Sequence, residues 1–93
     1  MWTAARVIAL RRRFGVDRTE FARILGVDAR SVARWEAGHA QPSGSSEAVL
    51  NALREQLDSD PANAERVVEF VVKAAAIGGL AYLMVKLLKS ATQ

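Results

Sequence analysis

Two short helical segments joined at a glycine constrain the fold of this chain more than any other feature. The first opens at Asp17, and Glu20 follows three residues later, which is the spacing of an N-terminal capping box. Gly26 ends that helix, because glycine adopts the left-handed conformation of a helix end at little cost. Asp28 is suited to cap a second helix directly afterwards. The sequence therefore predicts two short helices joined by a tight turn.

The side chains of this segment divide into a buried set and an exposed set. The apolar residues follow helical spacing and predict a shared core; they are Phe21, Ala22, Ile24, Leu25, Val32 and Trp35. The second helix then exposes Ala29, Arg30, Ala33 and Arg34. A short helix that presents two arginines one turn apart suits the major groove of DNA, where each guanidinium can donate two hydrogen bonds to a guanine. We expect these four residues to face the bases, with Ala29 near a thymine methyl group.

The segment resembles the Cro/C1-type (Xre) helix-turn-helix family, and in particular its phage-repressor and antitoxin-type domains, over about residues 7–57. The resemblance is carried by helix lengths, glycine positions and a Glu-x-Gly-x3-Pro tail; the matching residues are Asp17, Arg18, Phe21, Ala22, 25–28, Ser31, Val32, 34–36, Gly38 and Pro42. It implies a five-helix, lambda-repressor-like all-α domain that binds double-stranded DNA. It also implies that an arginine of the first helix pairs with a glutamate, which here gives Arg11 and Glu36.

Contacts to the DNA backbone are expected at the ends of two helices. The N-terminus of the helix after residue 44 offers free backbone N–H groups to a phosphate. Our candidate phosphate-binding residues are Arg18, Ser31, His39, Gln41, Ser43 and Ser45. The family often has glutamine at the first position of the helix that Asp17 caps, and this chain has Arg18. We therefore expect a contact of the arginine with a phosphate in place of a contact between a side-chain amide and a base. His39 has an alternative interpretation as an ordinary exposed loop residue.

The remaining chain predicts three more helices and a boundary. Thr3 caps a first helix that Gly15 ends, and Ser45 or Ser46 caps a fourth helix through Leu57. Asp60 and Pro61 are typical of a helix start. We therefore divide the chain into a helix-turn-helix domain, 1–58, and a C-terminal helical segment, 59–93.

That C-terminal segment is the most apolar part of the chain, and it has three interpretations. A membrane span is disfavoured, because the uncharged run 74–85 is shorter than the roughly twenty residues that a span needs. Packing on the monomer core is plausible for its first half. We favour self-association through a long helix that the glycines at 78 and 79 could interrupt. The residues assigned to this contact are Val67, Phe70, Val71, Ala74, Ile77, Gly78, Ala81, Met84 and Leu88.

Charge and composition narrow the function further. Residues 1–57 hold nine arginines and six acidic residues, so the whole formal net charge of +3 lies there. The chain has no cysteine, which excludes disulfides and cysteine-ligated zinc. With one histidine and no phosphate-binding glycine loop, we expect no enzyme activity, no cofactor and no metal site.

We interpret the chain as a sequence-specific, cytoplasmic and nucleoid-associated transcriptional regulator, a homodimeric repressor that reads the major groove with the helix at 28–37. Two alternatives stay open. The protein could also act as an antitoxin that neutralises a toxin partner, or as an oligomeric or membrane-associated scaffold that uses the helix-turn-helix as an adaptor.

Overall fold

The described part of the chain forms five α-helices. The computed structural model describes residues 2–59 and 61–77, with side chains as far as residue 73. The helices are α1 (Ala4–Phe14), α2 (Arg18–Leu25), α3 (Ala29–Glu36), α4 (Gly44–Ser59) and α5 (Ala64–Ile77), and a 3-10 turn, Pro61–Asn63, precedes α5. None of the described residues forms a β-strand. The all-α, five-helix prediction is therefore confirmed.

The ends of the first three helices follow the local sequence. The side chains of Thr3, Asp17 and Asp28 each accept a hydrogen bond from a backbone N–H in the first turn of α1, α2 and α3. These contacts satisfy backbone donors that have no partner within the helix. Gly15 and Gly26 end α1 and α2 with φ angles of 65° and 70°, in the left-handed region that favours glycine.

The core forms where α2 and α3 pack on each other and α1, α4 and α5 close around them. Its buried apolar side chains are Trp2, Val7, Leu10, Phe14, Val16, Phe21, Ala22, Ile24, Leu25, Val32, Trp35, Val49, Leu50, Leu53, Leu57 and Val71. The predicted apolar faces of α2 and α3 lie within this set. Trp2, for which the sequence indicated no role, is also buried.

Two helix starts differ from the prediction. α4 begins at Gly44, one or two residues before the predicted caps Ser45 and Ser46. Gly44 has a φ angle of 57°, in the left-handed region that glycine adopts at little cost, so the chain can turn into the helix at this residue. Pro61 opens a 3-10 turn, and the α-helical conformation begins only at Ala64. Asp60, the predicted cap, lies outside the described residues.

The first turns of α5 belong to the monomer core, which corrects part of the predicted self-association surface. Val71 has no exposed surface, and Val67 is partly buried against the core. A fully buried side chain has no surface left for a second protein chain, so Val71 is wrongly assigned to that contact. Phe70 is 41% exposed and is the one large apolar side chain that stays open to solvent among the described residues.

The division of the chain after Asp58 stays a prediction, although α5 packs on α1, α2 and α4.

The other part of the predicted contact cannot be placed. The side chains of Ala74 and Ile77, together with Gly78, Ala81, Met84 and Leu88, lie outside the described residues, as does any break at residues 78–79. Among the helices that are described, none is both long and apolar enough to cross a membrane.

Replacement of Val71 by alanine should destabilise the whole helix-turn-helix domain, because it removes buried methyl groups and leaves a cavity between α5 and the other helices. We expect a loss of about 1–3 kcal/mol in the free energy of unfolding, measured by urea denaturation. Arg66→Ala is the matched control on an exposed position of the same helix. Equal stabilities of the two variants would show that α5 is not part of the cooperative core.

Candidate nucleic-acid interface

The helix α3 presents a polar face that none of the other described residues covers. Val32 and Trp35 anchor the helix in the core, and Arg30, Ala33 and Arg34 are exposed on the other side. Ala29 is a partial exception to the predicted exposed face, because its side chain is half-buried and packs against the core. The exposed part of the face therefore consists of two arginines around one alanine.

The two exposed arginines of α3 differ in their surroundings. Arg34 forms no ion pair or side-chain hydrogen bond with any described residue. Arg30 places a terminal nitrogen 3.4 Å from the Asp28 carboxylate, while 91% of its side chain remains exposed. The backbone N–H of Arg30, followed by its guanidinium, lowers the pKa of Asp28, so this helix cap is charged at neutral pH. The guanidinium of Arg34 is thus available to a ligand, and that of Arg30 is held only weakly.

The turn between α2 and α3 fixes the angle at which this face is presented. The backbone N–H groups of Gly26 and Val27 donate to carbonyls in the last turn of α2, with Val27 bonded to Ala22 at 2.9 Å. Val27 also packs against the core as a partly buried side chain. This arrangement satisfies carbonyls at the helix end and leaves little freedom between the two helices.

The C-terminal end of α3 is fixed by an ion-pair cluster centred on Glu36. Arg11 donates from Nε to Glu36 Oε2 at 2.7 Å and from Nη2 to Oε1 at 3.1 Å. Arg18 donates from Nε to Oε1 at 3.0 Å. A further bond, from Arg11 Nη1 to the carbonyl oxygen of Val16, ties the cluster to the loop between α1 and α2. The structure thus contains the Arg11–Glu36 contact that the resemblance implies, and adds a second arginine to it.

Burial and hydrogen bonding act on Glu36 in opposite directions. Only 2% of its side chain is exposed, and this burial alone would raise the pKa of the carboxyl group. Hydrogen bonds from Arg11 and Arg18, with the attraction of their charges, outweigh burial and hold the pKa of Glu36 below its usual value. Glu36 is therefore ionised at neutral pH, and its charge joins α1, α2 and α3.

Arg18 is the position where sequence reasoning missed a contact. We predicted a phosphate ligand there, and 56% of the side chain is indeed exposed. Its Nε, however, donates to Glu36, so only the two terminal nitrogens remain as donors for a phosphate. The link joins residues eighteen positions apart. No local pattern indicates it, since it depends on how the three helices pack.

The segment between α3 and α4 carries most of the other candidate phosphate-binding residues. The backbone N–H of His39 donates to the Arg34 carbonyl at 2.9 Å, and Gly38 turns the chain with a φ angle of 80°. Pro42 is buried and anchors the segment. The exposed candidates are His39, Gln41, Ser43 and Ser45, whereas Ser31 in α3 is half-buried. Within the described part of the chain, no cluster of three or more metal-ligating side chains occurs.

Comparison with known proteins gives one result. Residues 7–46, which contain α1, α2, α3 and the start of α4, match a family model described as Helix-turn-helix. No curated protein and no solved structure significantly matches the chain.

Glu36→Gln should destabilise the domain, because the neutral amide cannot satisfy two guanidinium groups. We expect a loss of about 1–3 kcal/mol at neutral pH. Since the pKa of Glu36 is depressed in the folded state, its stabilising effect is complete above the ordinary glutamate pKa of about 4.3. The effect is lost as the pH falls through the folded-state value.

Thermal unfolding of both proteins between neutral and acidic pH tests this expectation. The gap between the wild-type and Glu36→Gln midpoints should narrow as the solution becomes acidic. Glu55→Gln, at an exposed position of α4, is the control and should leave the midpoint nearly unchanged. A Glu36→Gln midpoint equal to that of the wild type at neutral pH contradicts the stabilising role of the cluster.

Proposed function

Because residues 7–46 form a helix-turn-helix domain of the Cro/C1 type, a DNA-binding family, we propose that this DNA-binding regulator is a homodimeric transcriptional repressor that reads the major groove with α3. A regulator of this kind acts on the chromosome, so we place it in the cytoplasm at the nucleoid. This role requires no enzyme activity. Neutralisation of a toxin partner is a further property that the resemblance implies, and it would use a surface other than α3.

The observation that carries the base-reading role is the unpaired guanidinium of Arg34. Most arginines of the domain already have a partner: Arg11 and Arg18 bind Glu36, and Arg13 binds Asp58. On α3, Arg34 has no acidic partner among the described residues, and Arg30 has only a weak, exposed one. A planar guanidinium held on a fixed helix can donate two parallel hydrogen bonds to guanine O6 and N7. We assign Arg34 and Arg30 to base contacts, and Ala33 to van der Waals contact with the bases between them.

The residues around α3 supply the proposed phosphate contacts. The free terminal nitrogens of Arg18 lie at the N-terminal end of α2, and His39, Gln41, Ser43 and Ser45 are exposed before and at the start of α4. These positions flank the recognition helix along the chain on both sides. Phosphate contacts at two sides of a helix fix its register in the groove, and the base contacts then provide the sequence preference. Ala29 and Ser31 are half-buried, so we assign them secondary contacts: Ala29 with the bases and Ser31 with a phosphate.

The proposed dimer would use the outer side of α5. Phe70 is exposed there, and the neighbouring apolar residues Ala74 and Ile77 follow it at helical spacing. Val67 and Val71 of the same helix pack against the core instead. A two-fold dimer places two recognition helices about 34 Å apart, which matches successive major grooves on one face of DNA.

Arg34→Ala should abolish sequence preference more strongly than it weakens general DNA affinity. The operator is first obtained by selection from random duplexes with the wild-type protein. We expect a loss of about 1–3 kcal/mol for the selected site, and a small loss for random duplex, by fluorescence anisotropy.

The matched control is Arg12→Ala, which removes an exposed arginine of α1 that has no ion pair among the described residues. It should weaken binding to the selected and random duplexes equally, if at all. If Arg34→Ala also weakens both duplexes by the same factor, Arg34 contacts phosphate and the assignment is wrong.

Phe70→Glu should convert the dimer to a monomer, because it places a charge in the proposed apolar contact. We expect a lower mass by light scattering and a loss of about a hundredfold in affinity for a palindromic operator, with unchanged affinity for a half-site. Ala62→Glu adds the same charge at an exposed position of the 3-10 turn and serves as the control. A Phe70→Glu protein that keeps its dimeric mass excludes this face as the interface.

A further inference from the structure

The residue that caps α3 also contacts an arginine on the exposed face of that helix. Asp28 Oδ1 accepts a hydrogen bond from the backbone N–H of Arg30 at 2.8 Å, and Asp28 Oδ2 lies 3.4 Å from Arg30 Nη2. One carboxylate therefore binds both the backbone and the side chain of the same residue. We propose, on the basis of the base-reading role proposed for α3, that Asp28 is a positioning residue for sequence readout. It orients the Arg30 guanidinium toward guanine and restrains it from moving to a phosphate.

The capping hydrogen bond fixes the carboxylate that makes this contact. Asp28 has the extended backbone of an N-cap, with φ −74° and ψ 143°, and it satisfies a backbone donor that has no partner within α3. The backbone N–H of Arg30, followed by its guanidinium, holds the pKa of Asp28 below its usual value. The carboxylate is therefore charged at neutral pH, and Oδ2 is an anionic acceptor held at the start of α3.

The contact between the two side chains is weak in the free protein and becomes stronger in a DNA groove. The side chains of Arg30 and Asp28 are 91% and 56% exposed, and an ion pair so exposed contributes little to stability. When α3 enters a major groove, base pairs replace part of the surrounding water. The attraction between the two charges rises as the local dielectric constant falls. The effect of Asp28 therefore belongs to the complex with DNA more than to the fold.

Pairing with Asp28 changes which groups of the DNA attract Arg30. The carboxylate offsets part of the guanidinium charge and repels phosphates, so the general attraction to the DNA backbone falls. The guanidinium has more N–H donors than a guanine requires, so donors are left for guanine O6 and N7. An arginine that is already oriented also loses less conformational entropy on binding. Together these effects favour guanine over adenine at the position that Arg30 reads.

Two other residues of the chain lack this arrangement and provide comparisons. Asp17 caps α2 in the same way, accepting from the Glu20 N–H at 2.8 Å, but no hydrogen bond or ion pair joins its carboxylate to a described side chain. Arg34 lies on the same exposed face as Arg30 and has no acidic partner among the described residues. Asp17 is therefore a cap without a paired arginine, and Arg34 is an arginine without a paired carboxylate.

Asp28→Asn in the full chain tests the proposal, because asparagine is an equally good cap of the same size but replaces Oδ2 with a donor. Duplexes that differ at one base pair of the selected operator are compared by fluorescence anisotropy, and Arg30→Ala identifies the position that Arg30 reads. We expect the preference for guanine over adenine there to fall about two- to tenfold, the effect of releasing one long side chain. The preference at the position read by Arg34 should not change.

Affinity for random duplex should change in the opposite direction. Asp28→Asn should raise it by up to about fivefold, because one exposed negative charge is lost. A purely structural role of the cap would lower the affinity for the operator and for random duplex together. Asp17→Asn is the matched control, since it makes the same change at the cap of α2, and it should leave every base preference unchanged. Thermal unfolding checks that both variants are folded.

The outcomes separate this inference from the proposed function. If Arg30→Ala removes a guanine preference that Asp28→Asn keeps, the positioning role is wrong while the base-reading role of Arg30 stands. If Arg30→Ala changes no base preference, both are wrong. An equal loss of preference in the Asp17→Asn and Asp28→Asn proteins would also overturn the positioning role. So would a loss confined to a neighbouring base pair, because Asp28 would then contact a base itself.

Discussion

The geometry of the candidate DNA-binding face depends on one carboxylate, that of Glu36. It is the last residue of α3, its side chain is almost completely buried, and it binds arginines from α1 and α2. A buried charge is costly unless its hydrogen bonds are satisfied, and here each carboxylate oxygen has at least one guanidinium donor. The loss of one partner would leave the other charges poorly compensated. The cluster therefore favours one arrangement of the three helices, and this arrangement fixes the direction in which α3 presents its arginines.

The pairing of charges inside the domain also determines which charges remain for a ligand. The side chain of Arg11 is largely buried and binds Glu36, while that of Arg18 binds Glu36 and remains partly exposed to solvent. Arg13 and Arg54 share Asp58 on another side of the molecule. On α3, by contrast, Arg34 is unpaired among the described residues. The exposed arginines of α3 therefore present positive charge to solvent, because the acidic residue at the end of the same helix, Glu36, is bound by Arg11 and Arg18.

Local rules in the sequence predicted most of the fold, and tertiary packing decided the remainder. The caps Asp17 and Asp28 and the glycine at residue 26 act within a few residues of themselves, so their effect could be read directly. The resemblance supplied the Arg11–Glu36 pair. The second arginine on Glu36 and the burial of Trp2 depend on contacts between distant residues, Trp2 with Asn51 for example. Val71 was assigned to the wrong surface because an apolar helix face gives no indication of which protein surface covers it.

The burial of Val71 changes what the C-terminal segment can do. One side of α5 completes the core of the DNA-binding domain, while Phe70, one residue earlier, faces outward. If a second chain packs on that outer side, it also stabilises the inner side, since the same helix carries both. Dimerisation and folding of the domain are then linked equilibria, and association stabilises the monomer fold as any ligand of the native state does. Because the core of a domain this small is marginal, such a link would contribute appreciably to its stability: separation of the two chains would remove the support on the helix that closes the core.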